Sequence, residues 1–485
     1  MKSLLVCVSL LAATATGYGN NIAVTDVRLL TADAGGNAPV AFDLTWDNSW
    51  RITEGPNNYD AAWVFVKYQV GDGAWQHATL TGTYAHPTAA TVTTSPDGVG
   101  AFVYRSATGV GHVDYADIRL QWAAQSDGVS DLSNVRVHVF AVEMVYVPQS
   151  AFALGSDGTE TGYFYGLNFW GSRIPYTVES EGAIAMGGLS PELRYDGATL
   201  DLNVVNTIPA AFPKGYRAFY CMKYELSQQQ YVEFFNCLTA AEQSALNMPG
   251  ASVPIEQLVS SRHGMYWESE NKLATLYPHV PLAWVTTDHI FAYLDWSGLR
   301  PMTELEYEKA CRGTAGPVAN EYAWGSNKIM TADLTVDNPD GMAEVLTGLT
   351  LQSGWGYALH ADNAPMAAPL RTGIFAGSGL AASREASGGS YYGIMELSGN
   401  LSEFVVTVGA LFSSSYDGEH GDGIPDLLGL GDLLNWVGTG VTYGTRGGSF
   451  AASADALRVS DRRAAVTNYS PDGTSGFRGV RTADN

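Results

Sequence analysis

Short runs of alternating apolar and polar residues fill the chain from Asn21 to about Phe140, and this pattern most limits the possible folds. The runs are NIAVTDVRLL, VAFDLTW, AAWVFVKYQV, ADIRLQW and NVRVHVFAVEMVYV. Turn-rich segments such as EGPNNYD and SPDGVG separate them. Alternation puts every second side chain on the same face of a strand, and short strands at near-regular spacing are typical of an antiparallel sandwich. We therefore predict a β-sandwich domain over residues 18–140.

Three helices are predicted in the rest of the chain, residues 141–485. Their segments are SQQQYVEFFNCL, TTDHIFAYLDWSG and TELEYEKACRG, and their expected N-caps are Ser227, Thr286 or Thr287, and Thr303. Glu306 completes a capping box with Thr303, and Gly298 and Gly313 mark the ends of the second and third helices. A few helices among many Gly-rich connections indicate an α+β domain with much irregular structure.

Residues 1–17, MKSLLVCVSLLAATATG, have the pattern of a secretory signal peptide. One Lys precedes an apolar run from Leu4 to Ala13, and Ala13-Thr14-Ala15 forms a small-x-small cleavage site. The run is well short of the ~20 residues that span a bilayer. No later stretch is apolar enough to do so. We therefore expect a secreted protein, extracellular or at the cell surface, without membrane insertion.

The charge balance excludes two classes of partner. Lys plus Arg number 26 and Asp plus Glu number 49, which gives a formal net charge of −23. Such a chain repels nucleic-acid phosphates and anionic membranes. Without Cys7 in the leader, Cys221, Cys237 and Cys311 remain, and they allow at most one intramolecular disulfide.

Eight sequence blocks resemble the formylglycine-generating enzyme, or sulfatase-modifying factor, family, and they occur in its order. They are MVYVPQSAFALGSDG, FYCMKYELSQQQYVEFFN, AYLDWSGLRPMTELEYEKACRG, YAWGSN, YGIMELSGNLSEFV, RGGSF, LRVSDRR and GFRGVR. The resemblance spans roughly Glu143 to Arg481, apart from insertions near residues 160–205 and 328–390. It implies a variant of the C-type lectin fold for residues 141–485.

The resemblance also implies an oxidase chemistry that this chain lacks the residues to perform. Family enzymes convert a client cysteine to formylglycine with oxygen and a copper ion held by two thiolates, because soft sulfur selects Cu(I). The family cysteines lie two and seven residues after the aromatic of RGGSF, which here is Phe450. Those positions hold Ala452 and Leu457. We therefore expect no bound copper and a pseudoenzyme.

The block ELSGNLSEF is the candidate metal site. The resemblance implies a structural calcium held by the side chains of Glu396 and Glu403 and the carbonyls of Gly399 and Leu401. Calcium takes six to eight oxygen ligands, which a Gly-containing turn between two carboxylates can supply in part. Glu396 stands where a shorter Asn or Asp is usual. The family's second calcium site has no assignable ligands here.

The acidic loop SYDGEHGDGIPD is a weaker candidate for a cation site. Its Asp417, Glu419, Asp422 and Asp426 match no defined cation loop, so an exposed acidic turn is the preferred interpretation. The histidines show no paired metal-ligand spacing, and no serine triad is recognisable.

The C-terminal glycines and arginines are expected to be mainly structural. These residues are Arg446, Gly447, Gly448, Arg458, Arg462 and Arg478. Glycine permits tight turns and Arg forks two hydrogen bonds, so we expect internal pairing with the nearby Asp455 and Asp461. An anion pocket built by the same arginines is the alternative.

Three functions remain open. The first is a non-catalytic extracellular protein that binds a glycan or protein, or associates with itself as a surface or filament subunit. Related lectin-type proteins use the positions that correspond to Ala451–Asp455 and Ala464–Ser475 as a binding face. The second is a lectin-like adhesin that binds a glycan or a protein. The third is an oxidase of altered chemistry.

Overall fold

The computed structural model describes residues 15–16, 21–187, 192–195, 207–350, 352–376, 384–408, 415–436, 443–465 and 469–484. Apart from Ala15 and Thr16, the predicted signal peptide, residues 1–17, lies outside these ranges. Among the helices of the described ranges, none has the length and apolar character needed to cross a membrane.

Ten strands cover the N-terminal part of the chain. They are β1 (Ala15–Thr16), β2 (Ala23–Leu29), β3 (Ala38–Arg51), β4 (Asp60–Val70), β5 (Trp75–His77), β6 (Leu80–Ala85), β7 (Ala90–Thr94), β8 (Ala101–Arg105), β9 (Gly109–Trp122) and β10 (Val135–Val147).

The C-terminal part has shorter strands and five helices. The strands are β11 (Phe152–Leu154), β12 (Phe164–Leu167), β13 (Arg173–Ile174), β14 (Tyr176–Val178), β15 (Ile184–Ala185), β16 (Arg194–Tyr195), β17 (Thr207–Ile208), β18 (Phe219–Met222), β19 (Met265–Ser269), β20 (Lys272–Thr275), β21 (Arg300–Pro301), β22 (Thr335–Asp337), β23 (Val345–Thr347), β24 (Ser402–Val406), β25 (Tyr443–Arg446), β26 (Ser475–Gly476) and β27 (Gly479–Thr482). The helices are α1 (Gln228–Phe235), α2 (Ala240–Leu246), α3 (Ile255–Ser260), α4 (Thr287–Trp296) and α5 (Glu304–Arg312).

Strands make up 33% and helices 11% of the structure, in many small sheets, which agrees with the predicted α+β class. The three predicted helices form as α1, α4 and α5. Their N-caps are Ser227, Thr286 and Thr303, and each has a complete capping box. Thr286 rather than Thr287 caps α4 because its side chain accepts from the backbone N–H of His289. The prediction was accurate because caps depend on residues three positions apart.

Two antiparallel sheets share one core in the N-terminal part. A five-stranded sheet has the order β1-β2-β3-β9-β6. The second sheet has the order β21-β27-β18-β10-β4-β8-β7, with β5 also paired to β4. The common core takes Phe42 and Trp46 from β3, Val64 from β4, Val103 from β8 and Leu120 from β9. The alternation recognised in the sequence therefore turns one face of each strand into this core.

Strand β10 joins the N-terminal part to the C-terminal part. It pairs with β4 from Val135 to Val145 on one side and with β18 from Met144 to Val147 on the other. The predicted boundary between residues 140 and 141 falls inside this strand. The second sheet thus runs without interruption from the N-terminal strands to β27 at the end of the chain.

Candidate functional site: a C-terminal groove and a carboxylate block

A groove of about 420 Å³ lies among the C-terminal segments. It is lined by Ser402, the segment Gly444–Ser449, Ala451, Ala452, Ala456, Asp461, Arg463, Ala464, Tyr469, Ser470, Asp472, Thr474 and Ser475. These residues include much of the face predicted from Ala451–Asp455 and Ala464–Ser475. Two residues of the first segment and six described residues of the second therefore line one concave surface.

Glycines form the turn at one wall of the groove. Gly447 and Gly448 follow β25 with φ angles of 86° and 63°, a region that side-chain-bearing residues avoid. A Cβ on Gly447 would lie 2.6 Å from the carbonyl oxygen of Leu397, and one on Gly448 would lie 2.7 Å from Leu457 Cδ1. The RGGSF block thus needs both glycines for conformation and for close packing.

The two positions that the resemblance assigns to the family cysteines have different surroundings. Ala452 lies in the groove wall. Leu457 ends a 3-10 turn, Ala454–Leu457, and its side chain is fully buried in a cluster with Tyr322, Trp324 and Ile329. A methyl group and an isobutyl group offer no metal ligand.

The charged side chains at the groove are already paired. Arg463 donates to Asp461 at 2.9 Å and to Asp455 at 2.6 Å. Asp472 accepts from the backbone N–H of Thr474 and from the hydroxyl of Ser475. The groove therefore offers small apolar side chains and polar groups in existing networks.

A fully buried ion-pair network lies beneath the groove, and its centre is Glu304 at the start of α5. Arg446 donates to Glu304 at 2.7 Å and to Glu308 at 2.8 Å. Arg462 forks onto both oxygens of Glu304 at 2.7 Å. Glu304 also accepts from the N–H of Val408. The other carboxylate oxygen of Glu308 accepts from Arg312 at 3.0 Å.

The predicted partners of the C-terminal arginines were wrong, although their internal pairing was not. Asp455 and Asp461 bond Arg463 instead of Arg446 or Arg462. Arg478 bonds Glu403 at 2.7 Å, and Arg458 donates to Asn320 at 3.2 Å. The partners differ because the side chains of the buried arginines point inward, toward glutamates distant in sequence. The side chain of Asp455, in contrast, is 45% exposed.

The ELSGNLSEF block is compact, and two of its carboxylate oxygens have no hydrogen-bond partner among the described residues. Glu396 accepts from the N–H of Gly373 at 2.9 Å, and Glu403 accepts from Arg478. The second oxygen of each glutamate is buried and unpartnered. Burial raises the pKa of Glu396 to about 7 and also raises the pKa of Glu403. These two oxygens fit the chemistry of a hard cation.

Glu225 organises the turn of this block. Its carboxylate accepts from Asn400 Nδ2 at 2.6 Å and from the N–H of Leu401 at 2.7 Å. Glu396 and Asn400 have φ angles of 55° and 65°, so the turn is held in a conformation unusual for side-chain-bearing residues. The carbonyl contributions predicted for Gly399 and Leu401 stay predictions.

The carboxylates of the acidic loop accept hydrogen bonds mainly from backbone N–H groups nearby in the sequence. Asp417 accepts from Glu419 N and from Asn435, Asp422 accepts from Ile424 N, and Asp426 accepts from two backbone N–H groups. These are Asx-type turns. Across the ranges that the structure describes, no group of three or more His, Cys, Asp or Glu side chains is placed to hold a metal.

Within the described ranges, the cysteines are Cys221, Cys237 and Cys311, and all three are buried and unbridged. Cys221 lies on β18, Cys237 follows α1 and Cys311 lies in α5. Burial raises the pKa of Cys237 and of Cys311 to about 12, so both thiols stay protonated at neutral pH. The possible disulfide is therefore not formed in the structure.

Sequence reasoning missed the glutamates that satisfy the arginines. Glu304 and Glu308 are four residues apart on α5, so they share one helix face. That spacing was visible in TELEYEKACRG, and two acids on one face of a helix could have been matched to the buried arginines. Glu225 gave no comparable signal, because its partners lie 175 residues away.

Comparison with family models supplies the identification. The sulfatase-modifying factor enzyme 1-like domain matches residues 181–483, more than half of the chain. The protein therefore belongs to the sulfatase-modifying factor family. A comparison with curated proteins finds no match.

Replacing Glu304 by Gln should lower the free energy of unfolding by about 3–5 kcal/mol, because two buried guanidiniums lose their shared negative charge. Chemical denaturation monitored by tryptophan fluorescence measures the loss. Glu419→Gln, on an exposed carboxylate, is the matched control and should change stability by less than about 0.5 kcal/mol. Equal stabilities of the two variants would contradict the role of Glu304.

Proposed function

We propose that this protein uses the sulfatase-modifying factor fold without oxidase chemistry, for extracellular binding or self-assembly. The main support is at the two positions equivalent to the family's copper ligands, where Ala452 and Leu457 provide no thiolate. Leu457 is also part of a packed apolar cluster. The family is usually enzymatic, so the proposal separates this chain from its relatives by chemistry rather than by fold.

The remaining cysteines support the same proposal. None of Cys221, Cys237 and Cys311 lines the groove, and burial holds their thiols in the protonated form. Copper-dependent oxidation of a client thiol by oxygen needs accessible thiolates to hold the Cu(I) ion. Within the described residues, this chain has none at the groove.

We also propose a β-sandwich for the N-terminal part, a variant of the C-type lectin fold for the family domain, and secretion guided by residues 1–17. The shared core of the two N-terminal sheets supports the first of these. The signal-peptide pattern supports secretion.

Incubation with Cu(I), oxygen and a cysteine-containing sulfatase peptide should give no oxygen uptake and no aldehyde. An oxygen electrode and mass spectrometry of the peptide measure both. The double variant Ala452→Cys/Leu457→Cys is a useful comparison, because gain of activity there alone would show that the scaffold lacks only the thiols. Turnover by the unmodified chain would contradict the proposal and favour an oxidase of altered chemistry.

Calcium is proposed as a structural ion at the carboxylate block, with Glu396 and Glu403 contributing the two buried, unpartnered oxygens. Calcium at 100 times its Kd should raise the free energy of unfolding by about 2.7 kcal/mol. Calorimetry with calcium or a chelator should show a higher Tm with the ion. Because the pKa of Glu396 is about 7, the shift should shrink as the pH falls below that value, as protons compete with the ion.

Two variants identify the calcium ligands. Glu396→Gln should abolish the calcium-dependent rise in Tm. Asp426→Asn, in the acidic loop, should retain it. Loss of the rise in Asp426→Asn alone would move the site to the acidic loop, and no rise in the unmodified chain would refute calcium.

Self-association is the form of binding best supported by the surface. The aromatic turn, residues 168–172 between β12 and β13, presents Phe169 and Trp170 with 88% and 84% of their surfaces exposed. Asn168 holds this turn by accepting from two backbone N–H groups at 2.9 Å. Large exposed apolar side chains on a fixed turn are typical of a docking element.

A second exposed apolar surface on the same chain is the proposed docking partner of this aromatic turn. The leucine loop, residues 424–434, exposes Leu427 and Leu434 by 93% and 87%. Acidic residues lie within and beside this loop, whereas the exposed Arg173 follows the aromatic turn. Opposite local charges favour contact between the two surfaces on different copies of the chain. Such a contact joins unlike faces and can extend into open assemblies.

The double variant Phe169→Ser/Trp170→Ser should remove concentration-dependent assembly, which sedimentation velocity and electron microscopy detect in the unmodified chain. Val110→Ser is the control, since Val110 is 77% exposed on β9 and lies outside both surfaces. Discrete particles of the unmodified chain at all concentrations would contradict self-assembly. They would favour the alternative of a glycan- or protein-binding adhesin that uses the groove.

A further inference from the structure

A buried lysine lies between two buried carboxylates, far from the groove in sequence. Lys223 Nζ is 3.4 Å from Asp60 Oδ2 and 3.1 Å from Glu143 Oε2. The three side chains are 3%, 0% and 2% exposed. Removing three charged groups from water is costly, and the cost falls if the charges are neutralised.

The strand pairing brings these three residues together. Asp60 begins β4, Glu143 lies on β10, and Lys223 directly follows β18. Strand β10 lies between the other two in the second sheet, and the N–H of Lys223 donates to the carbonyl of Glu143 at 2.9 Å. The contact is therefore held by the hydrogen-bond ladder of three neighbouring strands.

The Asp60 carboxyl group is fixed by three further donors. Trp46 Nε1 donates to Oδ2 at 2.9 Å, and Ser49 Oγ and the N–H of Trp50 donate to Oδ1 at 2.9 Å each. Donors at a carboxyl group draw electron density from its carbon and stabilise negative charge on its oxygens during nucleophilic attack. Asp60 is thus held in place as the electrophile for the neighbouring amine.

The surroundings of Lys223 and Glu143 favour proton exchange between them. The rings of Trp50 and Tyr224 lie 4.7 Å and 5.4 Å from Lys223 Nζ. The amine acts as a nucleophile once its proton has been taken by a neighbouring base. Burial raises the pKa of Glu143 to about 7, so this carboxyl can both accept and return a proton at neutral pH.

We propose that Lys223 and Asp60 condense into an intramolecular amide, with Glu143 carrying the protons. Glu143 takes a proton from the Lys223 ammonium and gives it to one carboxyl oxygen of Asp60. Lys223 Nζ then attacks Asp60 Cγ and forms the N–C bond. A second proton from the nitrogen reaches the same oxygen by way of Glu143, the C–O bond breaks, and one water leaves.

The reaction balances without any other reactant. An ammonium and a carboxylate become an amide and water, no atom is oxidised or reduced, and Glu143 ends in its starting state. Holding amine and carboxyl in contact makes the reaction effectively unimolecular, which raises effective concentrations to about 10⁵–10⁸ M in favourable cases. The amide would close a loop between residues 163 positions apart and join the N-terminal strands covalently to the family domain.

Mass spectrometry of the denatured, purified chain tests the amide, with the N-terminus determined on the same sample. The expected mass is one water below that of the sequence, and a tryptic digest should contain a branched peptide linking Lys223 to Asp60. Lys272 and Glu268 provide an internal control, since this ion pair is 2.6 Å long but exposed, and it should remain unlinked. The full sequence mass with unbranched peptides at both residues would overturn the proposal.

Variants separate the chemistry from a simple ion pair. Glu143→Gln and Lys223→Arg should each restore the full mass, whereas Asp60→Asn should lose ammonia instead of water. Full water loss in Lys223→Arg would place the link elsewhere and also overturn the proposal. The unmodified chain gives a decisive result even if a variant fails to fold.

Discussion

The C-terminal half depends most on the buried ion pairs that the carboxylate of Glu304 forms. Glu304 begins α5, whose cap and capping box fix its position, and it bonds Arg446 and Arg462 from segments 142 and 158 residues away. A buried guanidinium without a carboxylate is strongly destabilising, so the C-terminal segments must approach α5 in one arrangement. The groove and the RGGSF turn are consequences of that arrangement.

This dependence gives the glycines and arginines of the family signature a structural role that is independent of any chemistry at the groove. The backbone φ angles and close contacts of the RGGSF turn require glycine. The buried glutamates require the arginines as partners of opposite charge. One of these contacts, that of Gly448 with Leu457, involves a position that the resemblance assigns to a family cysteine, and the other requirements do not. At the two positions that the resemblance assigns to the family cysteines, Ala452 lies in the groove wall and Leu457 packs in an apolar cluster.

Sequence reasoning was most accurate where structure is local. The caps of α1, α4 and α5 follow from residues three positions apart, and strand alternation is visible in β3 and β9. Partners distant in sequence were beyond it, because side-chain direction in irregular segments depends on the whole fold. Glu304 for Arg446, Glu225 for Leu401, and the meeting of Asp60, Glu143 and Lys223 all belong to this second kind.

Competition for Cu(I) against a chromophoric chelator tests the central claim most directly, because it measures the copper site itself. Anaerobic titration of the native, reduced chain should leave all Cu(I) with the chelator. Since Cys221, Cys237 and Cys311 are buried, copper uptake should appear only after denaturation. Stoichiometric, tight uptake by the native chain would show accessible thiolates and contradict the account.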